Sequence, residues 1–473
     1  MYIQQLYTNC LAEAAYYIES NGEAAIIDPM RDTQVYLDLA KQRKARIRYV
    51  FETHFHADFV SGHQDLAQKT GASIVYGPTT MHTGFDMVVA SDGQVFPLGA
   101  IQLKVIHTPG HTMESSCYLL LDETGTAHSI FTGDTLFIGD VGRPDLAQHV
   151  IAELTQEKLA GHLFDSLRTK IMPLQDDIIV YPGHGAGSAC GKNLSKETTD
   201  TLGHQKQVNY ALNPSLSKEE FIATVLSGLT PPPAYFPQNV LMNIGGYDAL
   251  DTVLQRSLKF YEANTFETIA REEHAVVIDT RDAGVFAKGF IPDSVNIGLN
   301  GSFAVWVGTL IPDVKQKIVL IADEGKEQEV LIRLSRVGYD AAIGFLKGGI
   351  AAWKEAGKAV KTIASVSAEE LYKRMQAGEV HLLDVRKPGE FRTEHVAGAI
   401  HAPLDYIHNS DVILQKDKTY YVYCAGGYRS MTYISILMGL GYNNLINVEG
   451  GMTAMKALGT FTLSDYAPQS SML

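Results

Sequence analysis

Residues 52–63 read ETHFHADFVSGH, a stretch in which His54, His56 and Asp58 alternate. Alternate residues of an extended loop project to one side, so these three donors can converge on one point. Later motifs add HTPGH with His111, TGD with Asp134 and YPGHG with His184. A glycine beside each lets the backbone turn tightly and the donor approach. Imidazole and carboxylate groups are the donors that hold zinc or iron. One HxH alone says little, because surface histidines are common. Four donor motifs in this order point to a metal centre rather than to core or capping residues.

A second chemistry sits near the other end, in TYYVYCAGGYRS. Cys424 directly follows an apolar run, and Arg429 opens a helical pattern, SMTYISILMGLG. A strand–loop–helix turn aims backbone N–H groups into one concavity, to which the helix dipole adds. Such a cradle, formed by Ala425, Gly426, Gly427 and Tyr428, favours a thiolate or a persulfide anion, so the thiol pKa is expected to fall. Arg429 is placed to attract a sulfur oxyanion. The competing reading is a buried structural cysteine in a glycine-rich turn.

Other reactive groups carry less. Cys10, Cys117 and Cys190 are scattered, with no CxxC pair, and read as free thiols of a reducing cytoplasm. Cys190 lies in the glycine-rich loop after His184, where it lines the metal site or is a buried bystander. Arg143, in GDVGRPDL, has the planar fork that clamps a substrate carboxylate or phosphate. A salt bridge to Asp140 or Asp145 is the alternative. His63 and Cys117 read as structural.

These groups must be positioned by an α/β framework. Apolar runs at 24–28, 47–53, 72–77, 101–111, 128–134 and 177–185 read as buried strands, each ending in a polar cluster, with helical patterns such as TQVYLDLAKQRK between some of them. Functional groups at strand ends are where open-sheet sites lie. The pattern turns helical from 203, and the proline-rich 229–240 marks a boundary. Beyond it the chain repeats itself. VVIDTRDAGVFAKGFIPDSVNI matches HLLDVRKPGEFRTEHVAGAIHA, and the paired glycines 348–349 match 450–451. Two homologous α/β domains follow from this. The first copy has VLIADEGKEQEV, with Ala322 or Asp323 in the cysteine position and Glu327 near the arginine position, so it cannot carry sulfur.

Bulk properties agree. With 473 residues, about three domains are expected at roughly 150 residues each. A net charge of −14 argues against nucleic acid or an anionic membrane as partner. No apolar run reaches the ~18–20 residues of a membrane span, and the first residues lack a signal-peptide pattern. A cytoplasmic protein is expected.

HxHxD followed by TPGHT, GD and PGHG resembles the metallo-β-lactamase fold superfamily. The resemblance implies an αββα sandwich over 1–245, then rhodanese-like α/β domains at 246–360 and 361–473, the first inactive. In dinuclear members a histidine follows the HxHxD aspartate as a ligand of the second metal. Phe59 stands there, and a phenyl ring has no lone pair, so one metal is expected. The persulfide dioxygenase branch is most similar, which implies one Fe(2+) per chain held by His54, His111 and Asp134. His56 then orients a ligand or a bound water, and Asp58 and His184 are remnants of the second site. A diverged one-metal zinc hydrolase is the other reading of Phe59.

Cys-x4-Arg with the upstream DVR…EF elements resembles a rhodanese, a sulfurtransferase that carries sulfane sulfur on cysteine. Together the parts resemble bacterial persulfide dioxygenase–rhodanese fusions of sulfide detoxification. That implies oxidation of a low-molecular-weight thiol persulfide by O2 to sulfite and thiol. Cys424 then transfers sulfane sulfur to sulfite, giving thiosulfate. A homodimer or homotetramer is expected by the same resemblance. Two other classes compete: a glyoxalase II-like zinc thioester hydrolase joined to a sulfurtransferase, and a non-catalytic sulfur sensor.

Overall fold

The computed structural model describes residues 1–146, 154–192, 194–229, 231–378, 380–409 and 414–464. It divides into two compact units. One comprises Met1–Leu254 with Pro312–Val314 and Ile332–Asp340; the other comprises Gln255–Ile311, Lys315–Leu331 and Ala341–Leu473.

The first unit holds two six-stranded sheets. Strands β1 (Tyr2–Thr8), β2 (Glu13–Ser20), β3 (Glu23–Ile27), β4 (Arg46–Phe51), β5 (Ser73–Tyr76) and β6 (Val88–Val89) form one in sequence order. Strands β7 (Val95–Leu98), β8 (Ile101–His107), β9 (Ser116–Leu121), β10 (Ala127–Gly133), β11 (Ile179–Pro182) and β12 (Asp200–Thr201) form the other. Their inner faces meet in one core. Tyr16 lies 4.9 Å from Phe131 and Phe51 lies 4.7 Å from Tyr118, ring to ring. Each such aromatic contributes about 1.5–3 kcal/mol by burial. Tyr36, Ala40 and Leu66 cover the outer face of the first sheet, and Leu163, Leu167 and Phe221 that of the second. The layers are αββα. All six sequence-predicted strands fall on strands of these sheets.

The first unit runs on to Leu254, past the proline-rich stretch at 229–240. Helix Phe236–Gly245 begins inside it, with Pro237 in its first turn, where a missing N–H costs nothing. Its Asn239, Asn243 and Ile244 are buried. Residues 332–340, expected in the middle domain, belong to the first unit for an electrostatic reason. Arg31, fully buried, binds both Asp340 oxygens at 2.7 and 2.8 Å, and Arg336 binds both Asp32 oxygens at 2.7 Å. Bidentate pairs of this kind are the strong ones.

The second unit contains two five-stranded parallel sheets. One combines β13 (Phe260–Tyr261), β14 (Val276–Asp279), β15 (Val295–Asn296), β16 (Ile318–Ile321) and β17 (Ala342–Leu346) in the order 13-17-16-14-15. The other combines β18 (Ala364–Val366), β19 (His381–Asp384), β20 (Ile400–His401), β21 (Tyr420–Tyr423) and β22 (Leu445–Val448) in the order 18-22-21-19-20. The two orders are the same, strand for strand, so the sequence repeat is a structural repeat. Among the described residues, no helix is long and apolar enough to cross a membrane.

Candidate metal centre and sulfur-carrying loop

The donors project from strand ends. His54, His56 and Asp58 follow β4, His111 follows β8, Asp134 is the residue after β10, and His184 follows β11. Thr53, just before His54, is held by Asp28 at the end of β3, which accepts from its N–H at 2.7 Å and its hydroxyl at 2.8 Å. Gly133 turns β10 into Asp134 with a φ of +47°, and a side chain there would overlap Thr53.

His54, His111 and Asp134, all buried, bring ligand atoms within 4.8 Å of one another. Their hydrogen bonds fix the tautomers. The Thr53 hydroxyl donates to Asp28, so at 3.0 Å it accepts from His54 Nδ1. His111 Nδ1 donates to the Arg143 carbonyl at 2.8 Å, and His184 Nδ1 to the Ala12 carbonyl at 3.1 Å. All three Nε2 lone pairs are thereby left for a cation. Burial, with neighbouring His56 and His111, pushes His54 well below the usual histidine range, which keeps it a neutral ligand. Asp134 spans the centre: Oδ2 lies 3.4 Å from His111 Nε2, and Oδ1 lies 3.5 Å from His184 Nε2. Both Asp134 oxygens, Asp58 Oδ1 and His184 Nε2 are buried without a hydrogen-bond partner among the described residues. Orphaned acceptors at this density fit a cation.

Asp58, His184 and Cys190 form a second cluster within the same 4.8 Å span, with His184 Nε2 3.3 Å from Asp58. Burial and the nearby Asp58 and Asp134 carboxylates push the Cys190 thiol well up. Phe59 is fully buried, its ring 4.3 Å from that of His56. His56 itself turns the other way. Its Nε2 lies 3.1 Å from Asp28 and 3.3 Å from Glu52, and these carboxylates raise it well above the usual range although burial opposes them. His56 thus faces Asp28 and Glu52 rather than the His54–His111–Asp134 cluster, with its ring packed 4.1 Å from that of His54.

In the second unit, Cys424 follows β21 and helix Tyr428–Gly439 begins at its loop. Gly427 N–H donates to Cys424 Sγ at 3.1 Å. The Cys424 and Ala425 carbonyls accept from Met452 N–H at 2.8 Å and Thr453 N–H at 3.0 Å. Gly451 makes this possible: its φ is +51°, and a Cβ there would overlap the Cys424 carbonyl. The paired glycines of the repeat therefore seat the sulfur loop. In the middle copy Ala322 is the residue after β16, in the place of Cys424. Tyr428 donates to the Gly298 carbonyl of the middle copy at 2.8 Å.

Comparison with known proteins adds to this geometry. The family model for the metallo-beta-lactamase superfamily matches residues 8–184, and that for the rhodanese-like domain matches 262–356 and 367–458. A metallo-beta-lactamase of known structure from Staphylococcus aureus subsp. aureus COL is 32% identical, with a TM-score of 0.63, over 73% of this chain and 98% of that one. The chain belongs to the metallo-beta-lactamase superfamily. Two rhodanese-like domains follow that domain. Among curated relatives, a hydroxyacylglutathione hydrolase of Brucella anthropi is 38% identical over 30% of this chain and 50% of its own length. A cytoplasmic one of Arabidopsis thaliana is 29% identical over 37% and 65%. The chain thus spans about half to two thirds of these relatives.

Within the metallo-beta-lactamase domain one substrate-binding expectation changes. Arg143 is 4% exposed and binds both Asp145 oxygens at 2.6 Å, so its fork serves the loop rather than a substrate. In the second rhodanese-like domain Arg429 is likewise paired, with Glu390 at 2.5 and 2.9 Å. Three site residues escaped the sequence: Asp28, Thr53 and Asn243. Asn243, on helix Phe236–Gly245, donates to the His56 and Phe59 carbonyls at 2.8 Å and accepts from Ser61 N–H at 2.9 Å, pinning the ligand loop. Only the IIDP strand end hinted at the first of them.

Proposed function

We propose that this metallo-beta-lactamase domain is an iron-dependent persulfide dioxygenase and that the last domain is a thiosulfate-forming sulfurtransferase. The observation that carries the reading is the convergence of His54, His111 and Asp134, two imidazoles and one carboxylate, beside a buried Phe59. This donor set is that of non-haem Fe(II) oxygenases. When bound, the iron supplies the redox chemistry by which RSSH + O2 + H2O becomes RSH and sulfite. The chain's own part is positional. Thr53 and the Arg143 carbonyl hold two imidazoles in the ligating tautomer, Asp134 supplies the charge, and Phe59 keeps the neighbouring wall apolar.

In the second step the Cys424 sulfur attacks the sulfane sulfur of another persulfide. The donor S–S bond breaks and the donor leaves as thiol. Sulfite then attacks the outer sulfur, the bond to Cys424 breaks, and thiosulfate leaves. Gly427 N–H steadies the anion at Cys424. Joining both activities in one chain raises the effective concentration of sulfite near its acceptor.

A two-zinc thioester hydrolase is the second reading. It draws on the named hydrolases and on the Asp58–His184–Cys190 cluster. A sulfurtransferase beside a thioesterase shares no substrate with it, whereas a persulfide serves both sites of the first reading. Two variants test the division of labour. Asp134→Ala should lose metal and O2 consumption yet keep sulfur transfer. Cys424→Ser should consume O2 and accumulate sulfite; an unchanged thiosulfate yield refutes the scheme.

A further inference from the structure

Next to the metal centre the metallo-beta-lactamase domain has a pocket walled by Phe55, Met81, Met113, Leu146, Val240 and Ile244. His111, one of the three converging donors, also lines it, so the pocket adjoins the candidate metal centre. Its walls are built in: Phe55 and Ile244 belong to one buried cluster with Ile74 and Tyr76, and Met81 and Val240 pack against it. Among the described residues that line it there is no lysine or arginine. The charged group present is Glu114, 9% exposed, whose carboxylate accepts from Phe55 N–H at 3.0 Å. Arg143, the arginine nearest in sequence to Leu146, holds Asp145 with both arms of its fork.

A carboxylate brought into such a pocket loses its water, meets no lysine or arginine among the described residues that line it and faces the negative charge of Glu114. Each of these disfavours it. An uncharged aliphatic arm loses nothing comparable and gains from covering apolar walls. We infer that this pocket receives the organic arm of the persulfide and selects uncharged, aliphatic arms over those bearing carboxylates. The inference rests on the persulfide reading for the chemistry but on the pocket alone for the selectivity. It runs against a glutathione-type substrate, whose two carboxylates would need partners here.

The test uses the full-length, iron-loaded protein and two probes, N-acetylcysteamine persulfide and glutathione persulfide. O2 uptake gives kcat/KM for each, and calorimetry gives the binding of the corresponding non-oxidisable methyl thioethers. The uncharged probe should be favoured by at least about tenfold in both measurements, as expected for a site that leaves a charge uncompensated. Val240→Arg, which places a cation on the half-buried wall, should shrink or invert that preference by about tenfold. Equal or better binding of the glutathione analogue to the unaltered protein overturns the inference, whatever the variant does. If the binding preference holds and neither persulfide is oxidised, the pocket stands and the dioxygenase reading falls. If glutathione persulfide is the better substrate and its analogue the better ligand, the dioxygenase reading stands and the pocket inference falls.

Discussion

Thr53 Oγ1 stands 3.0 Å from His54 Nδ1 and donates its own proton to Asp28 at 2.8 Å. This relay decides which nitrogen of His54 faces the metal. Thr53→Val keeps the shape and removes the acceptor, so His54 loses its fixed tautomer. Metal affinity should fall by about tenfold to a hundredfold, the usual cost of losing such a partner. Competition with a chelator at fixed pH measures it; unchanged affinity contradicts the relay.

Asn243 has three hydrogen bonds to the loop that carries His56, Asp58 and Phe59. Asn243→Ala leaves buried backbone groups without partners. The expected cost is about 1–3 kcal/mol of stability. Denaturant unfolding of the metal-free protein reads it, and metal retention should fall in parallel.

The candidate site groups were legible in the sequence because each sits in a short motif at a strand end: HxHxD, TPGH, GD, PGHG and Cys-x4-Arg. What positions those donors was not. Asp28 and Asn243 reach the ligand loop from distant stretches, and tertiary contact leaves no local pattern. Strand β2 is a buried run of the same kind as the strands that were read, from Glu13 to Ile18, but no donor motif at its end drew it out of the sequence. Arg143 and Arg429 show the same limit for charges. Sequence identified the forks, but only the fold shows that Asp145 and Glu390 occupy them.

Gly451 seats the sulfur loop with a φ of +51°. Gly451→Ala forces a side chain into left-handed backbone and against the Cys424 carbonyl. A loss of at least about 1–2 kcal/mol is expected from the backbone alone. Sulfur transfer from thiosulfate to cyanide should fall steeply while O2 consumption is kept. Wild-type transfer rates in this variant would show that the loop tolerates displacement.

The Arg429–Glu390 pair predicts a pH response. Burial by itself would raise Glu390, but the hydrogen bond and charge of Arg429 bring it below the ordinary glutamate range. A carboxylate lowered in the folded state adds stability above its unfolded pKa, and that stability disappears as the pH falls through the folded value. Thermal unfolding of the wild type should therefore weaken at acid pH more than that of Glu390→Gln. Parallel profiles would remove the pair from the account.

The central claim is a single redox-active metal between His54, His111 and Asp134. Its most direct measurement combines anaerobic metal analysis with O2-electrode turnover on a thiol persulfide. The account predicts about one iron per chain and O2 consumed with release of sulfite, both abolished in Asp134→Ala. Two zinc ions per chain, with thioester cleavage and no O2 uptake, would contradict it.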